Sequence, residues 1–212
     1  MDDYQGTHDA GVISLLNDFA DILIVNLLWL VTSIPIITLG ASTAAVYSVM
    51  HSPGDKRYTS SLVVLYFKSF ARNFRKATGI FLLLLIPGAF VIVNAFLLFY
   101  GLLEAGIAGY VICGLSFILF VSLWVYVFPL VATFENGALK TIANALVLSV
   151  AHFPTTVLVV IMSAIPMLVL MFYTNFFYKT VFFWVFIVVA LISKADALLV
   201  ERVLKRYIPE EA

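Results

Sequence analysis

Residues 80–103 of the chain read IFLLLLIPGAFVIVNAFLLFYGLL, a run of 24 positions without a charged side chain. A helix needs about 20 apolar residues to cross the hydrocarbon core of a bilayer, so this run is long enough for one crossing. Because backbone N–H and C=O groups in hydrocarbon must bond within their own segment, the crossing is predicted to be helical. The stretch therefore predicts an integral membrane protein.

The composition of the whole chain supports this interpretation. Of its 212 residues, 63% are hydrophobic and 11% are charged, whereas soluble domains are ~45–50% apolar and ~25% charged. This length holds several crossings and short loops but leaves no room for a separate soluble domain. We therefore predict one all-α domain over residues 1–212, a polytopic transmembrane helical bundle.

Five apolar runs are candidate crossings, at residues 19–39, 80–103, 108–128, 153–172 and 181–199. The first is the least regular, because its apolar residues extend from Val12 to Met50 and are interrupted by Pro35 and Gly40. We predict a surface helix that enters the membrane, a break, and a short helix through residues 41–45, whose small side chains permit close helix contact. Whether this run forms one crossing or two stays open.

The distribution of Lys and Arg predicts the orientation, because cytoplasmic loops retain positive charge. Eleven of the twelve fall on one side of the five predicted crossings, and Lys179 falls on the other. The eleven are Lys56, Arg57, Lys68, Arg72, Arg75, Lys76, Lys140, Lys194, Arg202, Lys205 and Arg206. We therefore predict a multi-pass protein of the cell membrane with an external N-terminus and a cytoplasmic C-terminus.

The first basic loop contains a segment with the pattern of an amphipathic helix. Its aromatic and basic positions are Phe67, Lys68, Phe70, Arg72, Phe74, Arg75 and Lys76. The three aromatic residues recur at i, i+3 and i+7, and the four cations form an adjoining face. Such a helix lies at the membrane interface, where its cations meet anionic lipid headgroups or a protein partner. Both kinds of contact stay open.

The second basic loop repeats this plan more weakly. Its apolar helical face consists of Leu139, Ile142, Leu146 and Val150. An Asn-Phe pair thirteen residues before Pro87 also corresponds to a His-Phe pair thirteen residues before Pro166. The two patterns suggest an internal duplication of a unit that contains a span, a surface helix and a proline-broken span.

Polar residues within the predicted membrane interior are few. Asn26 and Asn94 are the candidate intramembrane polar contacts, and Asn94 is predicted to bond to a neighbouring helix. The inner parts of the second, third and fourth spans contain no charged residue. A charged residue there would be the usual sign of an ion or proton pathway, so proton-coupled transport is not favoured.

The sequence contains no pattern typical of an enzyme or a cofactor site. His8, His51 and His152 are far apart, and Cys113 is the single cysteine, so no metal site is predicted. Neither a phosphate-binding glycine-rich loop nor a Gly-x-Ser-x-Gly motif is present. We expect no catalytic activity, no cofactor and no nucleic-acid partner.

Four motifs carry a resemblance to a known family: residues 26–30 (NLLWL), 35–45 (PIITLGASTAA), 66–70 (YFKSF) and 73–78 (NFRKAT). Together they resemble the YesL-type family of bacterial membrane proteins, a family of unknown function found mainly in Gram-positive bacteria. Its genes often lie beside those for sugar-binding lipoproteins and permeases of carbohydrate ABC importers. The resemblance implies a place in oligosaccharide uptake, with membrane lipids and importer permeases as partners.

Two functional hypotheses follow. In the first, the chain is a non-catalytic accessory or regulatory subunit of a carbohydrate ABC importer. In the second, it is a small oligomeric transporter of a sugar-like or other small solute, with a pathway lined by Asn26, Thr32, Ser33, Asn94 and Ser116. An importer permease is disfavoured, because the loop Glu135-Asn136-Gly137-Ala138 lacks the alanines and spaced glycine of the permease motif that docks into the ATPase. The substrate, the partner and the oligomeric state stay open.

Overall fold

The computed structural model describes residues 3–50, 61–104, 106–180, 198–200 and 202–204, and these contain helices and no strands. The elements are α1 (Asp3–Ser33), the 3₁₀ turn η1 (Ile36–Thr38), α2 (Leu39–Met50), α3 (Leu62–Phe99), α4 (Gly106–Thr133), α5 (Ala138–Ala151), α6 (Phe153–Phe172) and α7 (Thr174–Lys179). Residues 198–200 and 202–204 are also helical. The predicted all-α class is confirmed for these residues.

Helices α3 and α4 form an antiparallel pair that is suited to crossing a membrane. At one end Lys76 Nζ donates to Phe134 O at 2.8 Å, and at the other the Tyr110 hydroxyl donates to Leu98 O at 3.4 Å. Lys76 and Leu98 are separated by roughly 33 Å along α3 at the helical rise of about 1.5 Å per residue. This length matches the ~30 Å thickness of the hydrocarbon core. We call the end that holds Lys76 and Phe134 the basic end.

The described residues support fewer crossings than the five predicted for the whole chain. By length and composition, two helices of the described residues can cross a membrane, Leu62–Leu98 and Gly106–Thr133. A third crossing is present if α5 and α6, which meet at 99°, form one bent span. The predicted span 181–199 lies almost entirely outside the described residues. Two or three of the five predicted crossings are therefore supported.

The predicted first span, 19–39, is instead part of a hairpin of two antiparallel helices, α1 and α2. The chain turns through residues 34–35 and η1. Before and after this turn, Trp29 Nε1 donates to Thr43 Oγ1 at 3.2 Å, and Val25 packs in one cluster with Val49. The apolar parts of the two helices, 19–33 and 36–50, are each shorter than the minimum for a crossing. The proline break therefore turns the chain back on itself rather than kinking one span.

The turn of this hairpin lies closer to the Leu98 end of α3 than the two ends of the hairpin do. We call this direction, from the basic end toward Leu98, increasing depth. Gly40, just after the turn, packs against Ala77 and Phe81, whereas Val49 at the end of α2 packs near Tyr66, at the start of α3. Three isoleucines at the turn are exposed by 76%, 68% and 56%, namely Ile34, Ile36 and Ile37. An exposed apolar turn at this depth is suited to contact with lipid.

Small residues allow α2 to pack closely on α3 and α4. A β-carbon on Gly40 would lie 2.6 Å from Ala77 O, 2.8 Å from Phe81 Cβ and 3.0 Å from Phe128 Cε1. Ala41 and Ala44, on the same helix, are fully buried. The close contact predicted for residues 41–45 is confirmed.

The main core lies in the half of the bundle next to the basic end. Trp124 of α4 packs against Phe128 with ring centroids 5.0 Å apart and against Phe81 of α3 at 5.9 Å. The helical residues near the C-terminus join this cluster through Val200 and Leu204, both of which are buried. The core therefore connects the hairpin, the α3–α4 pair and the C-terminal segment.

At the α1–α2 turn and at the α5–α6 bend, a threonine hydroxyl satisfies a carbonyl that the break leaves without its helical partner. Thr38 Oγ1 donates to Thr32 O at the α1–α2 turn, and Thr156 Oγ1 lies 2.8 Å from Ser149 O at the α5–α6 bend. In hydrocarbon an unpaired backbone carbonyl is strongly unfavourable. These hydroxyls therefore make both breaks compatible with burial.

At each of these two breaks, a buried tyrosine of the α3–α4 pair lies within hydrogen-bonding distance of a threonine hydroxyl. The Tyr66 hydroxyl lies 2.7 Å from Thr32 Oγ1, and the Tyr126 hydroxyl lies 3.1 Å from Thr156 Oγ1. Both tyrosines are 0% exposed. The two broken segments are thus joined to the two long helices by similar hydrogen bonds.

Substituting Phe for Tyr66 is expected to destabilise the protein by about 1 kcal/mol, the typical loss for one interhelical hydrogen bond. The hydroxyl is the only group removed, so the ring still fills its buried site. The midpoint of unfolding in detergent micelles measures the change. Tyr173→Phe, at a residue that is 67% exposed, is the matched control and should leave the midpoint unchanged. Equal midpoints for Tyr66→Phe and the native protein would contradict the assigned role of this hydroxyl.

The suggested duplication does not extend to helix geometry. α3 continues without interruption through the Asn73–Phe74 pair and Pro87. The corresponding pair, His152 and Phe153, lies instead at the 99° bend between α5 and α6. The two segments that the sequence pattern relates therefore have different shapes.

Candidate functional site at the basic end of the α3–α4 pair

The predicted basic interfacial helix is the first part of α3 rather than a separate element. α3 is continuous from Leu62 to Phe99. Lys76 lies at the basic end, so the 14 residues that precede it in α3, Leu62 to Arg75, extend roughly 21 Å beyond it along the helix axis. The sequence could not show this continuity, because the change from charged to apolar residues at Gly79 resembles a boundary between a loop helix and a span.

The exposed side of this extension carries both aromatic and basic side chains. Phe67 and Phe74 are 46% and 36% exposed. Lys68, Arg72 and Arg75 are exposed on the adjoining side of the helix. The third predicted aromatic residue, Phe70, is half-buried and packs against both core clusters. We call Phe67, Lys68, Arg72, Phe74 and Arg75 the aromatic–basic face.

Lys76 differs from the other predicted cations because it is half-buried and bonded within the protein. Its ammonium donates to Phe134 O, just after the end of α4, where helical carbonyls lack N–H partners and the dipole favours a positive charge. Lys76 precedes the apolar part of α3, and Glu135 beside Phe134 brings an opposite charge close to its ammonium. This side chain therefore fixes the end of α4 against α3.

Next to Lys76 is a polar cavity of about 280 Å³ between the two helices. It is lined by Arg72, Asn73 and Lys76 from α3 and by residues 131–136 from the end of α4 and the turn that follows. Asn73 is buried and donates from Nδ2 to Ser69 Oγ at 3.3 Å. Sequence reasoning missed Asn73 and the α4 residues of this site, since only the pairing of α3 with α4 brings them together.

The second predicted amphipathic segment, α5, has its apolar stripe on the outside. Of the four stripe residues, Leu139 and Val150 are 77% and 69% exposed. The buried face of the helix contains Thr141, Ala145, Leu148 and Ser149. Three of the four stripe residues therefore lie outside the internal packing surface and are available to lipid or to a partner, whereas Ile142 packs against the main core.

The predicted intramembrane polar residues lie far apart. Asn26 is 6% exposed in α1, and the nearby Thr32 contacts Tyr66. Asn94 lies roughly 42 Å further along α3 than Tyr66, where it lines a cavity of about 120 Å³ with Ser116. The five residues of the predicted transport pathway therefore do not lie together within one chain.

Asn94 also differs from the prediction in its hydrogen bond. Its Nδ2 donates to Phe90 O at 2.7 Å, one turn earlier in the same helix, and the described residues show no hydrogen bond from it to a neighbouring helix. Across the part of the chain that the structure describes, no cluster of three or more His, Cys, Asp or Glu side chains could hold a metal ion. Within the described structure, we therefore take the basic end, where charged and polar side chains surround one cavity, as the candidate functional site.

Comparison with known proteins relates part of this architecture to one family. Residues 22–95 match the family described as "Protein of unknown function, DUF624". The matched segment includes the last 12 residues of α1, the turn, α2 and most of α3. It therefore contains the hairpin and the aromatic–basic face. No curated protein and no solved structure matches the chain.

Proposed function

We propose that the chain is a non-catalytic membrane protein of the YesL type that acts as an accessory or regulatory subunit of a carbohydrate ABC importer. The observation that carries the proposal is the position of Phe67 on the aromatic–basic face. Phe67 is 46% exposed and lies nine residues before Lys76, roughly 14 Å beyond the basic end. The headgroup layer adds only about 5–8 Å on each side of the hydrocarbon core.

Exposure of a phenylalanine beyond the headgroup layer supports a protein contact in addition to lipid. Aromatic residues and arginine are enriched at the centres of protein interfaces. Phe67 lies beside Lys68, which favours a partner surface that combines an apolar pocket with acidic residues. The choice of an importer permease as that partner rests on the family resemblance.

Purification of the tagged protein in mild detergent is expected to recover permease subunits of a carbohydrate importer. Phe67→Ala should reduce this recovery about tenfold, the effect of losing one important interface residue. The matched control is Phe96→Ala, which removes the same type of side chain from the same helix near its other end, where Phe96 is 53% exposed.

The two possible failures of this experiment are distinct. A monodisperse protein that carries no permease would contradict the accessory role itself. Equal recovery with Phe67→Ala, Phe96→Ala and the native chain would contradict the assignment of the aromatic–basic face as the contact surface.

We also propose that the N-terminus is cytoplasmic, unlike the external position expected from five crossings. The support is the α1–α2 hairpin, whose turn lies deeper than its ends when depth is measured from the basic end. A hairpin of this kind enters and leaves the membrane on one side. Since the basic end carries Arg72, Arg75 and Lys76, the positive-inside tendency favours the cytoplasm as that side.

A further inference from the structure

The polar cavity lies at the depth of lipid headgroups, whichever partner covers Phe67. When the roughly 33 Å between Lys76 and Leu98 spans the hydrocarbon core, Lys76 is at its edge, and Arg72, one turn earlier in α3, is roughly 6 Å further out. The headgroup layer occupies about 5–8 Å beyond that edge. Both cations of the cavity are therefore at the level of lipid phosphate groups.

The side chains that line the cavity are suited to a phosphate group. The guanidinium of Arg72 is exposed and presents paired N–H donors, which match phosphate oxygens in a bidentate geometry. Asn73 and Asn136 bring amide groups to the same cavity. Among the described residues that line the cavity, Glu135 is the one with a carboxylate, and its charge acts on Lys76. Arg72 is thus the principal group left to bind an anion.

An apolar stripe continues from Arg72 toward the middle of the membrane. Residues 79, 83, 86 and 90 follow Arg72 at 7, 11, 14 and 18 positions, so all lie on the same face of α3. Gly79 has open space where a side chain would be. Beyond it Leu83, Ile86 and Phe90 are 49%, 75% and 65% exposed. This stripe provides a path for an acyl chain directly above the cavity.

We infer that this cavity binds the phosphate of an anionic phospholipid, with Arg72 as the principal ligand and the Gly79–Phe90 stripe in contact with an acyl chain. Basic pockets between membrane helices on the cytoplasmic side bind anionic headgroups in this way. The inference goes beyond the proposed importer role and does not depend on it. It assigns Arg72, the member of the aromatic–basic face that lines the cavity, to a lipid site and leaves Phe67 and Lys68 of that face for the protein contact.

Arg72→Gln tests the inference against Arg75→Gln, because both changes remove one exposed positive charge from the same turn of α3. Only Arg72 lines the cavity. The measurement is the rise in the thermal unfolding midpoint when short-chain phosphatidylglycerol is titrated into the detergent-solubilised protein. Arg72→Gln should raise the concentration for half-maximal protection about tenfold, the usual loss for a charge-assisted hydrogen bond. Arg75→Gln should change it by less than about twofold.

Three results would contradict the proposed phospholipid site. Equal loss of protection in both variants would indicate general attraction to the basic surface. Equal protection by phosphatidylcholine would remove the requirement for an anionic lipid. Equal protection by inorganic phosphate alone, at the same concentrations, would assign the cavity to a soluble anion instead of a lipid. Since Arg72 is exposed and Lys76 remains to hold α4, both variants are expected to fold.

Discussion

Replacing Gly40 with alanine is expected to lower the free energy of unfolding by about 3 kcal/mol, the upper part of the range for overpacking. The new β-carbon would lie 2.6 Å from Ala77 O and 2.8 Å from Phe81 Cβ. Neither atom can rotate away, because one belongs to the backbone and the other is fixed to it. Helix α2 would have to move away from α3 and lose the close contacts of its small residues.

The change can be followed through the fluorescence of Trp124, whose ring contacts Phe81 and Phe128 beside Gly40. Equilibrium unfolding in mixed micelles of mild detergent and SDS gives the free energy. Gly79→Ala is the matched control, since a β-carbon there meets no atom within 4 Å. That variant should be unchanged or more stable by up to about 1 kcal/mol, because alanine favours the helix. A Gly40→Ala protein as stable as Gly79→Ala would show that α2 packs elsewhere.

A reporter fused at residue 1 is expected to lie in the cytoplasm. The expectation follows from the hydrogen bond between Trp29 and Thr43 and from the packing of Val25 with Val49, which together make α1 and α2 antiparallel. The 15-residue apolar part of each helix extends roughly 22 Å, less than the ~30 Å hydrocarbon core. Neither helix crosses alone, so both ends of the hairpin stay on one side.

A fluorescent protein at residue 1 should therefore fluoresce, and alkaline phosphatase at the same position should be inactive. The control is a fusion after Leu103, between α3 and α4, where the reporter should lie on the opposite side and give the reverse result. Active phosphatase at residue 1, with the same result after Leu103, would restore the single crossing at residues 19–39 and contradict the hairpin orientation.

The parts of the fold that the sequence predicted well are those with a strong local signal. The long apolar runs of α3 and α4 exceed the length of a crossing, and the charges before Gly79 indicate where the membrane ends. Hydropathy gave the wrong prediction at Pro35. It measures the free energy of transfer to lipid and does not indicate whether the chain continues in one direction or turns back. A run that passes through the membrane and one that turns back within it have the same composition.

The sequence also could not specify the role of each polar residue at the basic end. Lys76 and Arg72 belong to one run of cations, one helical turn apart. The packing of α4 separates their roles, since Lys76 reaches Phe134 O while Arg72 remains exposed. Similarly, the apolar stripe of α5 predicts an amphipathic helix but does not indicate which of its faces packs internally, because lipid satisfies apolar side chains as well as a protein core does.

The sequence by itself determined that this is a membrane protein with helical apolar segments, because backbone groups in lipid must bond within their own segment. It also determined that the cations before Gly79 are clustered. These properties follow from transfer free energies and charge, which act on each segment independently of the others. Only the tertiary structure decided that α1 turns back at Pro35 and that α3 extends past the basic end. The same packing brings Arg72, Asn73 and the end of α4 around one cavity. Such features depend on contacts between distant residues, including the space that Gly40 leaves open and the hydrogen bonds of Tyr66 and Lys76.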